Sequence, residues 1–116
     1  MPLIRVQTST PIDQAARAAT MKSLSGAVAE ILGKPESYVM VVLEPGTPML
    51  FAAGAEPAAF AEVRSVGQVS ADQSRSLSAR ICEILGAEAS IDSGRVFVNC
   101  AGVDGAMWGF DGRTFG

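Results

Sequence analysis

Ile31-Leu32-Gly33 recurs as Ile84-Leu85-Gly86, and this echo organises the chain. Around each copy the residues read strand, helix, turn, strand, so two right-handed βαβ halves follow one another in tandem. In the first half, Leu3 to Ser9 alternates Ile4, Val6 and Thr8 with Arg5 and Gln7, the period of a strand with one apolar face. Thr10-Pro11-Ile12-Asp13 then has the residues of a helix entrance. Met21, Leu24, Val28, Ile31 and Leu32 recur at helical spacing and predict a helix of about twenty residues. Gly33 stops that helix, and Pro35 keeps it from resuming. Tyr38 to Leu43 is an uninterrupted apolar run, which predicts a strand buried on both faces.

The second half repeats the plan. After the turn Glu44 to Pro48, Met49-Leu50-Phe51 reads as a short edge strand. Ala58 to Val66 forms a strand with Phe60, Glu62 and Arg64 on one side and Ala61 and Val63 on the other. Ser70-Ala71-Asp72 opens a second helix with the stripe Leu77, Ile81, Ile84 and Leu85, ending at Gly86. Arg95 to Cys100 gives the last strand, and a tail rich in Gly and aromatics follows. The expectation is one α/β domain over residues 1–116, with a four-stranded mixed sheet and both helices on one face. Arg5, Gln7, Glu62 and Arg64 can line the other face where it is wet. Tyr38 to Leu43 and the aromatic tail, however, carry more apolar surface than two helices can cover. Burial against other copies of the chain resolves this, and a homo-oligomer is predicted.

A chain of 116 residues buries about two thirds of its unfolded surface, enough for a core without staples. Its net charge is -3 with no run of Lys or Arg, which argues against nucleic acid or an anionic membrane as partner. No apolar run is long enough to span a bilayer, and Arg5 interrupts what would be the apolar region of a signal peptide. The expected location is the cytosol. Cys82 and Cys100 lack metal-site spacing and there is no histidine, so both read as small buried hydrophobes, and neither metal nor cofactor is expected.

The missing histidine sharpens the question of acid-base chemistry. An α-amino group is one of the few protein groups that titrates near neutral pH. Met1-Pro2 can supply one: removal of Met1 leaves Pro2 as a free secondary amine, whereas with Met1 attached its nitrogen is a non-basic amide.

Met1-Pro2, Leu32-Gly33-Lys34-Pro35 with Tyr38, Phe51, Glu56-Pro57, Ser65-Val66-Gly67, Arg95-Val96-Phe97-Val98-Asn99 and Thr114-Phe115 follow one another along the chain. Through these residues, the sequence resembles the macrophage migration inhibitory factor family of the tautomerase superfamily from end to end. The resemblance implies a homotrimer whose three sheets surround a central channel, with an active site at each subunit boundary. It further implies keto-enol tautomerisation of phenylpyruvate-type and dopachrome-type substrates, with Pro2 as catalytic base. Lys34 would hold the substrate carboxylate, and the backbone at Ser65 and Val66 would help place the ligand. Tyr38, Trp108, Phe110 and Phe115 match the aromatic rim, while Phe97 and Asn99 match residues contributed by the neighbouring subunit.

Such a site is chemically coherent. Aromatic walls and the charge of Lys34, one of two lysines, both disfavour the prolinium cation and leave a usable base. Lys34 also suits an acidic substrate and a developing enolate. Three departures from the family pattern bear on activity. Phe97 stands where tyrosine is common, Trp108 and Phe110 rearrange the aromatic order of the tail, and Ala58-Ala59-Phe60-Ala61 replaces a C-x-x-C. Thiol-disulfide exchange is therefore not expected. Two other functions compete with the enzyme: a signalling or host-modulating ligand, released without a signal peptide and read by a cell-surface receptor, and a small-molecule sensor or carrier without turnover.

Overall fold

The computed structural model describes residues 1–116. Its principal elements are β1 (Pro2–Thr8), α1 (Gln14–Leu32), β2 (Met40–Glu44), β3 (Ala59–Val66), α2 (Ala71–Ala89), β4 (Val96–Val103), β5 (Gly109–Phe110) and β6 (Arg113–Thr114). The main sheet has the order β2-β1-β3-β4. Each half contributes a parallel pair, β1 with β2 and β3 with β4, and the halves meet where β1 and β3 run antiparallel. The tandem βαβ reading and the four-stranded mixed sheet hold.

Alternation decides which face is covered. Ile4 and Val6 lie opposite Val63 and Ala61, and all four point beneath the helices. Leu24, Val28 and Leu32 of α1 and Leu77, Ile81 and Leu85 of α2 complete the buried core. Small side chains at Ala59 and Ala61 give the helices room to approach the sheet. The opposite face is open. There Arg5 donates to Glu62 at 2.6 Å, with Glu44 at 3.8 Å, and Arg64 lies 3.6 Å from Glu62. Glu62 keeps the Arg5 guanidinium pKa above its ordinary range.

Four local expectations change. Gly86 does not end α2; the helix continues to Ala89, and Ser90 takes the left-handed cap. No proline follows to forbid the extra turn, and Ile91 folds back with its N–H on the Leu85 carbonyl at 3.3 Å. β2 is an edge strand with Val41 and Leu43 toward the core, and Met40 is 62 % exposed, so the run is not buried on both faces. Met49-Leu50-Phe51 forms no strand, because Ala52 and Ala53 turn the chain back at once and leave only a Phe51–Gly54 bridge. Cys82 and Cys100 are unpaired and half-buried rather than buried, and burial pushes the Cys82 thiol pKa up.

No helix is long and apolar enough to cross a membrane.

Candidate active site

The site forms where β1 begins. Pro2 is fully buried, directly opposite Ser65, and the following residues alternate into the sheet. Above this strand start lies a cleft of about 280 Å³ whose floor includes Met1, Pro2 and Leu3. One wall comes from Ser37 to Met40, the turn that leads into β2, and the other from Trp108, Phe110 and Phe115 of the tail.

The tail is held in place by its own backbone. Asp111 and Gly112 take positive φ of 52° and 75°, the conformation that Asp-Gly favours in a two-residue hairpin, and this pairs β5 with β6. The Phe115 N–H bonds the carbonyls of Gly105 and Trp108 at 3.0 and 3.2 Å. Phe110 therefore meets Tyr38 edge-on at 5.5 Å and stacks with Phe115 at 5.9 Å. The three rings stay partly exposed, as expected of a rim.

Lys34 is positioned by the end of α1. Gly33 adopts φ 64°, its N–H bonds Glu30 at 3.3 Å, and the Lys34 N–H reaches back to Ala29 at 3.0 Å. This pair of reversed bonds is a Schellman motif, so the Lys34 backbone is fixed rather than loose. Lys34 is not part of the cleft wall, but its charge is felt there. The Met1 amine is held below its ordinary pKa of 8.0, first by partial burial and then by repulsion from Lys34. An amine at this spot is thereby biased toward its neutral, basic form.

The fold thus gathers Pro2, Tyr38, Trp108, Phe110 and Phe115 around one cleft, with Ser65 and Val66 at the adjoining strand end and Lys34 nearby. It does not bring Phe97 and Asn99 there. Phe97 pairs with Phe60 and Asn99 with Glu62, whereas Pro2 pairs with Ser65. The five-residue separation of Phe60 from Ser65 is about 17 Å along the strand, and β4 lies two strands from β1. Leu3, Ser37, Val39 and Met40 line the cleft without having been singled out in the sequence. Nothing in strand alternation distinguishes such wall residues, although Asp111-Gly112 was a legible signal for the hairpin.

A smaller hollow of about 190 Å³ lies on the open sheet face between Leu3, Arg5, Glu62 and Arg64. There the Glu62 carboxylate lies between two guanidiniums, 2.6 Å from Arg5 and 3.6 Å from Arg64.

A family profile described as Macrophage migration inhibitory factor (MIF) matches residues 1–116. A macrophage migration inhibitory factor homolog of Trichuris trichiura is 33% identical over 115 residues, covering 99% of this chain and 100% of that protein. One of Brugia malayi is 30% identical over 116 residues and covers 100% of both chains. The crystal structure of the homologue from Prochlorococcus marinus has a TM-score of 0.92 at 35% identity, covering 98% of this chain and 99% of that one. The chain therefore belongs to the macrophage migration inhibitory factor family of the tautomerase superfamily, a membership that supports an isomerase or tautomerase activity in general terms.

Proposed function

We propose that the protein interconverts the keto and enol forms of phenylpyruvate-type and dopachrome-type substrates, with Pro2 as base after Met1 is removed. The observation that carries this reading is the position of Pro2, buried at the floor of an aromatic cleft where a chain-terminal amine feels both desolvation and the charge of Lys34. In the ketonisation direction, the Pro2 nitrogen accepts the enol hydroxyl proton and the electron pair re-forms the carbonyl. The resulting carbanion-like carbon takes the same proton back from the prolinium. Lys34 holds the substrate carboxylate and offsets the enolate charge, while Tyr38, Trp108, Phe110 and Phe115 hold the ring in a water-poor space.

The working unit in this reading is a homotrimer. Supporting it are Met40, Leu50 and Phe97, large apolar side chains at 62%, 73% and 63% exposure, and a cleft that Phe97 and Asn99 cannot reach within their own chain. Phe97 and Asn99 would then complete a neighbour's site. Following phenylpyruvate conversion by ultraviolet absorbance tests the proposal: Pro2→Gly is expected to lose most of the rate, and equal rates would defeat it. A second reading, a signalling ligand with a cell-surface receptor, is favoured by the name macrophage migration inhibitory factor borne by the family's mammalian members, such as that of Rattus norvegicus at 29% identity. Binding of cells by the Pro2→Gly protein would separate that role from catalysis.

A further inference from the structure

The loop between β2 and β3 is built on a turn that its residue types disfavour. Phe51 and Gly54 exchange two backbone hydrogen bonds, 3.0 and 2.9 Å long, across Ala52 and Ala53. Both alanines lie in the left-handed region, at φ of 51° and 59°. This conformation suits Asn and Gly in primed turns, and a Cβ is penalised there. Strain of this kind persists only where the surroundings over-determine it.

Arg95 provides those surroundings. Its Nη2 donates to the carbonyl oxygens of Phe51, Gly54 and Glu56 at 3.2, 3.2 and 3.1 Å, and its Nε donates to that of Pro57 at 3.0 Å. The guanidinium also lies 5.1 Å from the centre of the Phe51 ring, and the Glu56 carboxylate is 3.7 Å away. One planar fork therefore ties down residues 51–57 of the loop, a task that the single ammonium of lysine cannot repeat. What the clamp presents is Phe51, whose ring meets that of Phe97 edge-on at 5.0 Å.

We infer that Arg95 is a positioning residue: by clamping the Ala52–Ala53 turn it sets Phe51 against Phe97, and so fixes the ring that this copy lends to its neighbour's cleft for an aromatic carboxylate. The inference rests on the reading that Phe97 crosses to another copy. Offset and edge-to-face ring pairs have a defined geometry, so loosening one partner lets the other swing away from a bound ring.

A double-mutant cycle on the KM for phenylpyruvate tests this. Phe97→Ala is expected to raise KM by about two- to tenfold, the range of one aromatic contact. Arg95→Lys should raise it nearly as much, with a smaller change in kcat, and should add nothing once Phe97 is already alanine. An equal further rise in the double variant overturns the inference. Phe51→Leu keeps every carbonyl bond of Arg95 while removing the ring, and should raise KM as Arg95→Lys does; no effect would mean that Arg95 serves the fold alone and overturns the proposal. If Phe97→Ala leaves KM unchanged, the crossing itself fails. The clamp is then judged by the Phe51–Phe97 ring-to-ring nuclear Overhauser effect, which Arg95→Lys should weaken and whose persistence would overturn it.

Discussion

Pro2 lies directly opposite Ser65 in the antiparallel pairing of β1 with β3, so the second residue of the chain is already locked into the sheet. Chain ends usually fray. Here the end is held where a terminal nitrogen meets apolar walls, the placement on which the proposed chemistry rests. The consequences can be measured separately.

The α-amine of the chain that retains Met1 should titrate below 8.0. Because burial and Lys34 disfavour its cation, the folded amine releases its proton at lower pH than the unfolded one. The unfolded chain therefore binds more protons across the window between the two values, and stability rises with pH there. The pH dependence of acylation at the amine reads the shift. Lys34→Ala should return it only partway, since burial is the larger cause; a full return would contradict that order.

Lys34→Ala should weaken binding of carboxylated substrates. A charge-assisted bond is worth about 1.5–3 kcal/mol, or roughly ten- to a hundredfold in KM. Initial rates over a range of phenylpyruvate concentrations check this, and an unchanged KM would remove the assigned role.

Two glycines of opposite surroundings should respond in opposite directions. A Cβ on Gly102 would stand 2.2 Å from the Gly67 carbonyl oxygen and 3.1 Å from Gln68 Cα, both backbone atoms beside the strand end that carries Ser65 and Val66. Gly102→Ala is therefore expected to destabilise by about 2 kcal/mol or more. Gly26, within α1, has open space around the same position, so Gly26→Ala should stabilise by about 0.5–1 kcal/mol. Urea melts of both variants give the comparison.

Ser70 caps α2 through Gln73, whose side chain returns a bond to the Ser70 N–H at 2.9 Å. Ser70→Ala should cost about 1 kcal/mol in the same assay.

The halves of the fold were legible because Ile31-Leu32-Gly33 and Ile84-Leu85-Gly86 both fall near the C-terminal end of a 19-residue helix, the first at the very end of α1 and the second one turn before the end of α2. Their glycines nevertheless differ. Gly33 takes a left-handed cap with Pro35 beyond it, whereas Gly86 remains helical because nothing after it forbids another turn. Met49 to Phe51 looked like a strand because two consecutive left-handed alanines leave no trace in composition; Arg95, distant in sequence, bonds the carbonyls on either side of them. Tyr38 to Leu43 looked buried on both faces because an uninterrupted apolar run does not mark which side a sheet-edge strand leaves open. The cleft was legible differently again. Pro2 stood out as a candidate amine base because the chain has no histidine, the roles of Lys34 and the aromatic tail came from resemblance, and the fold draws Pro2 and the tail into one place. Leu3, Val39 and Met40 stayed hidden because a cleft wall and a core use the same apolar residues.

The most direct measurement compares tautomerisation of phenylpyruvate by two N-terminal forms of the protein, one beginning at Pro2 and one retaining Met1, each verified by intact mass. The account predicts turnover by the Pro2 form and almost none by the other, whose Pro2 nitrogen is an amide. Equal turnover by the two forms would contradict it.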